Sequence, residues 1–243
     1  MCMENKIRNV WERGLDLVFP ARCPVCDKPA PYPELICPAC GGRFVPVKEP
    51  RCLKCGKHLG DEREEYCKGC RVAAHKFDQG RGLFEYPSMA RSMYRFKYAG
   101  RKEYARFYGE QIVKKLGKTI RGWRPDALVP VPVHAARKRE RGYNQAEALA
   151  GEIGRRMGIP VDFRLIKRVK KTLPQKLLDD RERQNNLKRA FKIARNDVKL
   201  KRVVIIDDIY TTGSTIDACA LELKRAGVEK VYFIAIAIGK ELK

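Results

Sequence analysis

Apolar positions from about Phe77 onward alternate between helical and strand spacing. Two stripes with the period of a helix lie at residues 89–96 and 104–112, and the second helix is predicted to end at Gly117. A compact apolar stretch follows at residues 127–133 and has the composition of a strand, which two prolines terminate because proline cannot donate to a sheet. This part of the pattern therefore predicts two helices followed by a strand.

The same alternation continues toward the C-terminus. An amphipathic helix with a capping asparagine before it is predicted at residues 146–157, and a further helix at residues 216–223. Buried strands at residues 203–206 and 231–238 flank this last helix. Strands that are apolar at nearly every position are typical of a parallel sheet covered on both faces. Residues 76–243 are therefore predicted to form an α/β domain with a mostly parallel, doubly wound sheet.

Cysteine spacing sets the first part of the chain apart. Eight cysteines form four C-x-x-C pairs within residues 23–70, a stretch rich in proline and glycine. Since no export signal is expected, grouped thiols indicate metal binding rather than disulfides. Two Cys₄ zinc sites are predicted, with sequential pairing favoured over an interleaved one. The first would consist of Cys23, Cys26, Cys37 and Cys40, and the second of Cys52, Cys55, Cys67 and Cys70. With an amphipathic helix at residues 7–18, they predict an N-terminal domain over residues 1–75.

Charge is distributed unevenly between these two regions. The chain carries 52 Lys+Arg against 29 Asp+Glu, a formal net charge of +23. Residues 1–75 hold 13 basic and 10 acidic side chains, whereas residues 76–243 hold 39 and 19. Such an excess attracts phosphates on nucleic acid, on a small metabolite or on a lipid headgroup. No apolar run approaches the roughly 20 residues of a membrane-spanning helix, so a cytoplasmic protein without a membrane span is expected.

The segment at residues 203–215, VVIIDDIYTTGST, carries the clearest chemistry. Asp207 and Asp208 end a predicted strand, where open α/β sheets bind ligands, and a bound Mg²⁺ or a ribose diol would relieve their mutual repulsion. No lysine stands in the frame of a Walker A motif. The small residues that follow open a helix, whose first N–H groups favour an anion. They form a candidate phosphate cradle of Thr211, Thr212, Gly213, Ser214 and Thr215.

This segment resembles the phosphoribosyl pyrophosphate (PRPP) motif of type I phosphoribosyltransferases. The resemblance implies that Asp207 and Asp208 bind the ribose 2′ and 3′ hydroxyls. It also implies that residues 211–215 hold the 5′-phosphate and that Mg²⁺ bridges the diol and the pyrophosphate. By this resemblance the expected fold is of the type I phosphoribosyltransferase kind.

A second segment, PVPVHAARKRERGYNQA at residues 130–146, is similar to the signature of the ComF/ComFC competence proteins. Three shorter segments are also similar to it: KTLPQ at residues 171–175, RQNN at residues 183–186 and AF at residues 190–191. A double zinc ribbon ahead of a phosphoribosyltransferase domain is that family's architecture. Within the second segment, an extended loop would place alternate side chains on one side, where they could bind one polyanion. These side chains are Arg137, Arg139 and Arg141, and the resemblance places them in a pyrophosphate loop. Residues 172–186 match the family's flexible loop. His134 is assigned no acid–base role.

Three functions remain open from the sequence. The favoured one is a competence-type protein that binds PRPP and single-stranded DNA in DNA uptake or recombination, with a competence helicase or recombination proteins as partners. Its second support is the mixture of cations and aromatic rings at residues 91–102, which is typical of strand binding. The alternatives are a phosphoribosyltransferase of nucleotide metabolism or salvage, and a structural protein with vestigial sites. Whether PRPP is turned over, and on which acceptor, the sequence leaves open.

Overall fold

The computed structural model describes residues 21–31, 33–169, 190–195 and 198–239. The helix predicted at residues 7–18 and the flexible loop predicted at residues 172–186 lie outside the described residues.

A four-stranded parallel sheet forms the centre of the fold, in the strand order β1-β6-β5-β2. Two short strands, β3 and β4, pair separately and antiparallel. The strands are β1 (Gln79–Glu85), β2 (Ala127–Pro130), β3 (Ile166–Arg168), β4 (Phe191–Ile193), β5 (Arg202–Tyr210) and β6 (Lys230–Ile238). The helices are α1 (Lys68–Val72), α2 (Tyr86–Tyr98), α3 (Tyr104–Gly122), α4 (Ala135–Arg141), α5 (Gln145–Met157) and α6 (Ser214–Arg225). This architecture confirms the predicted parallel α/β fold.

Alternate residues of β5 face opposite sides of the sheet. Val204 and Ile206 share a core with α2, α3 and α5, whereas Val203 and Ile205 share one with α6. The second core also holds Cys52, Cys55 and Cys67, which belong to the second predicted zinc site. The second zinc ribbon therefore covers, together with α6, a face that helices alone cover in most doubly wound folds. The domain boundary at residue 75 stays a prediction, but the packing across it is continuous.

Strand β1 is one of the elements that the hydrophobic pattern does not indicate, together with α1, α4, β3 and β4. Gly80 and Gly82 interrupt its apolar character, because a Cβ at Gly80 would lie 2.0 Å from the ring of Phe233 and one at Gly82 would lie 2.7 Å from Ile238 Cβ. The structure also corrects element ends. α3 continues past Gly117 to Gly122, and β5 extends beyond the predicted end at residue 206 to Tyr210.

Candidate functional site

A cavity of about 450 Å³ lies where the polypeptide leaves the carboxyl ends of β2 and β5. Three acidic side chains, two threonine hydroxyls and several basic side chains share it with the rings of two tyrosines. Its lining consists of Tyr86, Lys97, Tyr98, Val131, Pro132, Val133, Arg137, Glu140, Arg141, Asn144, Ala146, Arg168, Asp207, Asp208, Ile209, Thr211 and Thr215. The structure therefore brings both sequence motifs to one hollow.

The acidic pair, Asp207 and Asp208, lies near the carboxyl end of β5, which ends at Tyr210. Asp207 accepts a hydrogen bond of 2.8 Å from the backbone N–H of Asp208 through Oδ1. Lys97, from α2, places its Nζ 3.0 Å from Asp208 Oδ2. Burial and the neighbouring charge of Asp208 raise the pKa of Asp207 to about 7. Asp208 is thus paired with a cation, while Asp207 exchanges its proton near pH 7.

The raised pKa of Asp207 predicts a pH dependence of stability. An aspartate titrates near 3.8 without these effects, so the stabilising contribution of the protonated form is complete below about pH 4 and is lost as the pH rises through about 7. We expect the free energy of unfolding of the ligand-free wild type to fall between about pH 4 and about pH 7, and that of Asp207→Asn to fall less. Urea denaturation across this range measures both, and parallel curves would contradict the assignment.

The loop after β5 leads directly into α6. Thr211 and Thr215 line the cavity, whereas Gly213 and Ser214 are buried behind them. The hydroxyls of Thr212 and Ser214 lie 2.9 Å apart. α6 begins at Ser214, and the first N–H groups of a helix have no partner within it, so this end of the helix offers donors to an anion.

Gly213 is the position where this loop tolerates no side chain. Its φ is +90°, and a Cβ would lie 2.9 Å from His75 Cε1 and 3.0 Å from the hydroxyl of Tyr210. We expect Gly213→Ala to lower stability by about 2 kcal/mol, because it adds a steric clash to the backbone strain. Gly227→Ala is the matched control, since Gly227 has a φ of +95° and open space around it. Chemical denaturation should show a larger loss for Gly213→Ala, and equal losses would show that strain alone matters.

The basic segment after β2 is a helix, so the predicted extended loop is wrong. α4 places Arg137 and Arg141 one turn apart, and both line the cavity, whereas Arg139 is exposed and is not part of its lining. Arg141 donates to Gln145 Oε1 at 3.1 Å and to the hydroxyl of Tyr98 at 3.2 Å, with its guanidinium 4.8 Å from that ring. His134 caps this helix by accepting a hydrogen bond from the backbone N–H of Ala136.

Several residues of the cavity were missing from the predicted site. Lys97 lies in the segment that the sequence assigned to strand binding, and only the fold shows that it reaches Asp208. Arg168 is a second cavity residue that the predicted site lacks. The polar, basic stretch at residues 167–186 predicts a long loop or lid, yet β3 carries Arg168 into the cavity wall, with its guanidinium 5.3 Å from the ring centre of Phe191.

The eight paired cysteines form two separate clusters, with the sequential pairing that the sequence favoured. Within each cluster all sulfur atoms lie within 4.8 Å of one another, and the measured Sγ–Sγ distances of Cys26–Cys37 and Cys55–Cys67 are 3.6 Å. A tetrahedral Zn²⁺ with Zn–S bonds of about 2.3 Å separates its sulfurs by about 3.8 Å. Both clusters therefore fit the ion in number, chemistry and spacing of ligands.

The two zinc clusters are held differently. The first, around Cys23, packs in a small cluster of its own. Asp27 makes a 2.7 Å contact with Arg101, just before α3, and accepts a 2.6 Å hydrogen bond from Tyr104 at the start of α3. The second lies in the core under the sheet, where Cys52 and Cys55 are fully buried.

Comparison with known proteins agrees with this two-part architecture. Residues 14–71 match the family model of the double zinc ribbon domain, and residues 141–241 match that of the phosphoribosyl transferase domain. Competence protein F of Haemophilus influenzae is 31% identical over 82% of this chain and 89% of its own. This chain belongs to the ComF family of competence proteins.

Other relatives match this chain over a similar share of its length. DNA utilization protein YhgH of Salmonella typhi is 29% identical over 88% of this chain and 96% of its own. Competence protein ComFC of Bacillus subtilis is 27% identical over 79% and 80%. A solved purine phosphoribosyltransferase from Pyrococcus horikoshii is 18% identical over 54% of this chain and 73% of its own, with a TM-score of 0.35. Among the helices that the structure describes, none has the length and apolar character needed to cross a bilayer.

Proposed function

We propose that this ComF family member binds PRPP together with Mg²⁺ in the cavity beside β5. The observation that carries the proposal is the meeting of three elements in one hollow: a carboxylate pair, the N-terminus of α6 and two guanidinium groups of α4. PRPP has one chemical group for each element, namely a ribose diol, a 5′-phosphate and a pyrophosphate.

The role of each side chain follows from its chemistry. Asp207 and Asp208 would accept hydrogen bonds from the ribose hydroxyls, which are stronger when the acceptor is ionised. Residues 211–215 would surround the 5′-phosphate with hydroxyl and N–H donors, and Arg137 and Arg141 would bind the pyrophosphate. Bound Mg²⁺ would neutralise part of the pyrophosphate charge. Arg139 has no role in this proposal, because it is exposed and outside the cavity lining.

The proposal extends to single-stranded DNA and to a role in natural transformation, DNA uptake or recombination. The names of the relatives refer to competence and DNA utilization, and one pyrophosphate does not require the charge that residues 76–243 carry. A competence helicase or recombination proteins would be its partners.

Exposed rings on α2 support strand binding. Tyr94 and Tyr98 are 62% and 48% exposed, with ring centres 5.3 Å apart. Other members of the predicted segment are engaged elsewhere: Phe96 is buried, and Arg95 and Arg101 bind the first zinc ribbon, whereas Arg91 and Lys102 are exposed. The strand-binding surface is therefore narrower than the sequence indicated.

Replacing both exposed rings tests this part of the proposal. Each stacked base contributes about 1–3 kcal/mol, so Tyr94→Ala/Tyr98→Ala should weaken oligonucleotide binding at least about tenfold. Tyr66→Ala is the control, because Tyr66 is a 41% exposed ring on the zinc ribbon. Fluorescence anisotropy with a labelled oligonucleotide gives both affinities. In wild type, the logarithm of the oligonucleotide association constant should fall with the logarithm of the salt concentration, with a slope of about −0.7 for each phosphate bound. Binding that does not depend on salt would overturn the proposal.

Coupling between the two ligands is measured in the same assay. Oligonucleotide affinity with and without PRPP and Mg²⁺, in wild type and in Asp207→Ala/Asp208→Ala, shows whether one site influences the other. If PRPP and Mg²⁺ change the oligonucleotide affinity of wild type but not that of the double variant, the two binding activities belong to one mechanism. Equal oligonucleotide affinities of wild type with and without PRPP would show that the two sites are independent.

Catalysis is the second candidate function. The rings of Tyr86 and Tyr98 line the cavity next to the acidic pair, so a flat acceptor such as a nucleobase has surfaces to contact. Incubation with PRPP, Mg²⁺ and a panel of bases should release pyrophosphate if the protein is a phosphoribosyltransferase. Binding of PRPP without any release would leave the cavity a ligand-sensing site.

A further inference from the structure

Two residues at the junction of the zinc-ribbon region and the sheet domain contact the helix that follows the phosphate loop. Asp217, in the first turn of α6, contacts them through both carboxylate oxygens. His75 Nδ1 lies 2.7 Å from Oδ2, and the backbone N–H of Lys76 donates to Oδ1 at 2.7 Å. The His75 side chain is only 3% exposed, so this contact is buried between the two regions of the protein.

His75 also forms the wall against which the phosphate loop folds. The space that a Cβ on Gly213 would need is occupied by His75 on one side and by the hydroxyl of Tyr210 on the other. His75 in turn stacks on Phe77, with ring centres 4.7 Å apart. The loop thus owes its tightest backbone position to a residue from outside the phosphoribosyltransferase match.

A short and continuous path leads from this wall to the second zinc cluster. Helix α1 begins directly after Cys67 and contains Cys70, and the backbone N–H of His75 then donates to Ala73 O at 2.9 Å. On the opposite side, Phe77 and Tyr210 share one core with the buried cysteines of the same cluster. A change in the metal site would therefore move His75 or the residues that hold it.

We propose that His75 is a positioning residue that couples zinc in the second cluster to ligand binding at the phosphate loop. With zinc bound, α1 is fixed, His75 holds Asp217 and Gly213, and the loop keeps the shape that receives a phosphate. Without zinc, this wall is lost and the loop loses affinity. The inference rests on the proposed binding of PRPP.

Thermodynamic linkage makes the coupling reciprocal. If zinc at the second cluster tightens PRPP binding by some factor, PRPP tightens zinc binding at that cluster by the same factor. The described contacts of the first cluster lead elsewhere: Val25 and Ile36 pack on the core of the opposite sheet face, and Asp27 pairs with Arg101 just before α3. PRPP should therefore protect the cysteines of the second cluster and leave those of the first unprotected.

The experiment measures PRPP affinity by calorimetry and cysteine protection by alkylation. The zinc-loaded protein is exposed to a chelator and a thiol reagent, with and without PRPP and Mg²⁺, and peptide mass spectrometry assigns each modified cysteine to its cluster. The variants are His75→Ala, His75→Asn, whose amide nitrogen can replace Nδ1, and Arg101→Ala, which removes the tether of the first cluster instead. His75→Ala should weaken PRPP binding about fivefold or more and abolish protection of the second cluster.

The outcomes separate this inference from the function on which it rests. Rescue of affinity and protection by His75→Asn, with no change in PRPP affinity for Arg101→Ala, supports the coupling. If wild type binds PRPP but the second cluster gains no protection, or if His75→Ala lowers only the melting temperature, the coupling is overturned and the proposed function stands. If wild type does not bind PRPP, both fail.

Discussion

Asp207→Asn/Asp208→Asn is expected to bind Mg²⁺ and PRPP at least about 100-fold more weakly than wild type. Hydrogen bonds to charged groups contribute about 1.5–3 kcal/mol each, and the double substitution removes both charges while keeping the shape of the side chains. Calorimetric titration gives the two dissociation constants. Asp162→Asn is a matched control, since Asp162 pairs with Arg195 and lies outside the cavity lining.

The stability of the same double variant distinguishes lost recognition from unfolding. The two carboxylates repel each other, and burial together with the neighbouring charge of Asp208 disfavours the ionised form of Asp207. The double variant should therefore unfold at the same or a higher temperature than wild type at neutral pH. Lower stability together with weaker binding would mean that the pair is structural and would remove the carboxylates from the binding account.

The two zinc clusters should differ greatly in what their loss does to the protein. Cys55→Ser is expected to lower the melting temperature by more than about 10 °C, because loss of a structural zinc costs several kcal/mol and each kcal/mol shifts a domain of this size by about 2–4 °C. Cys26→Ser should leave the unfolding of the sheet domain nearly unchanged. Scanning calorimetry, with zinc content measured in parallel, provides the comparison.

Packing is the reason for this asymmetry. The second cluster shares its core with β5, β6 and α6, so its collapse opens the apolar face of the sheet. The first cluster has a small core of its own, and its described links to the sheet domain are partly buried side chains such as Val25 and Ile36 and the polar contacts of Asp27 with Arg101 and Tyr104. Equal losses of stability for the two variants would contradict the view that the second ribbon is part of the sheet domain.

The parts of the molecule that follow from local chemistry could be predicted from the sequence. The helices around Met93 and Leu149 and the strands around Ile205 and Ile234 have regular apolar patterns, and cysteine spacing favoured the pairing that the two metal sites show. The family resemblance, carried by residues 130–146 and 203–215, is confirmed by its relatives. Roles of single residues in PRPP binding remain predictions.

Features that depend on distant contacts could not be predicted. β1 carries glycines because Phe233 and Ile238 occupy the space of their side chains, and no local pattern records that. In an extended loop, Arg139 would have pointed to the same side as Arg137 and Arg141. Because the segment is a helix, Arg137 and Arg141 line the cavity and Arg139 does not. His75 offered no signal at all, since its partner Asp217 is 142 residues away in sequence.

The most direct test of the account is a titration of the zinc-loaded wild-type protein with PRPP in the presence of Mg²⁺. We expect saturable binding of one PRPP per chain, a melting temperature that rises with ligand concentration, and loss of both effects in Asp207→Asn/Asp208→Asn. Absence of binding heat and of any rise in melting temperature in the folded, zinc-loaded protein would contradict the assignment of the cavity to PRPP.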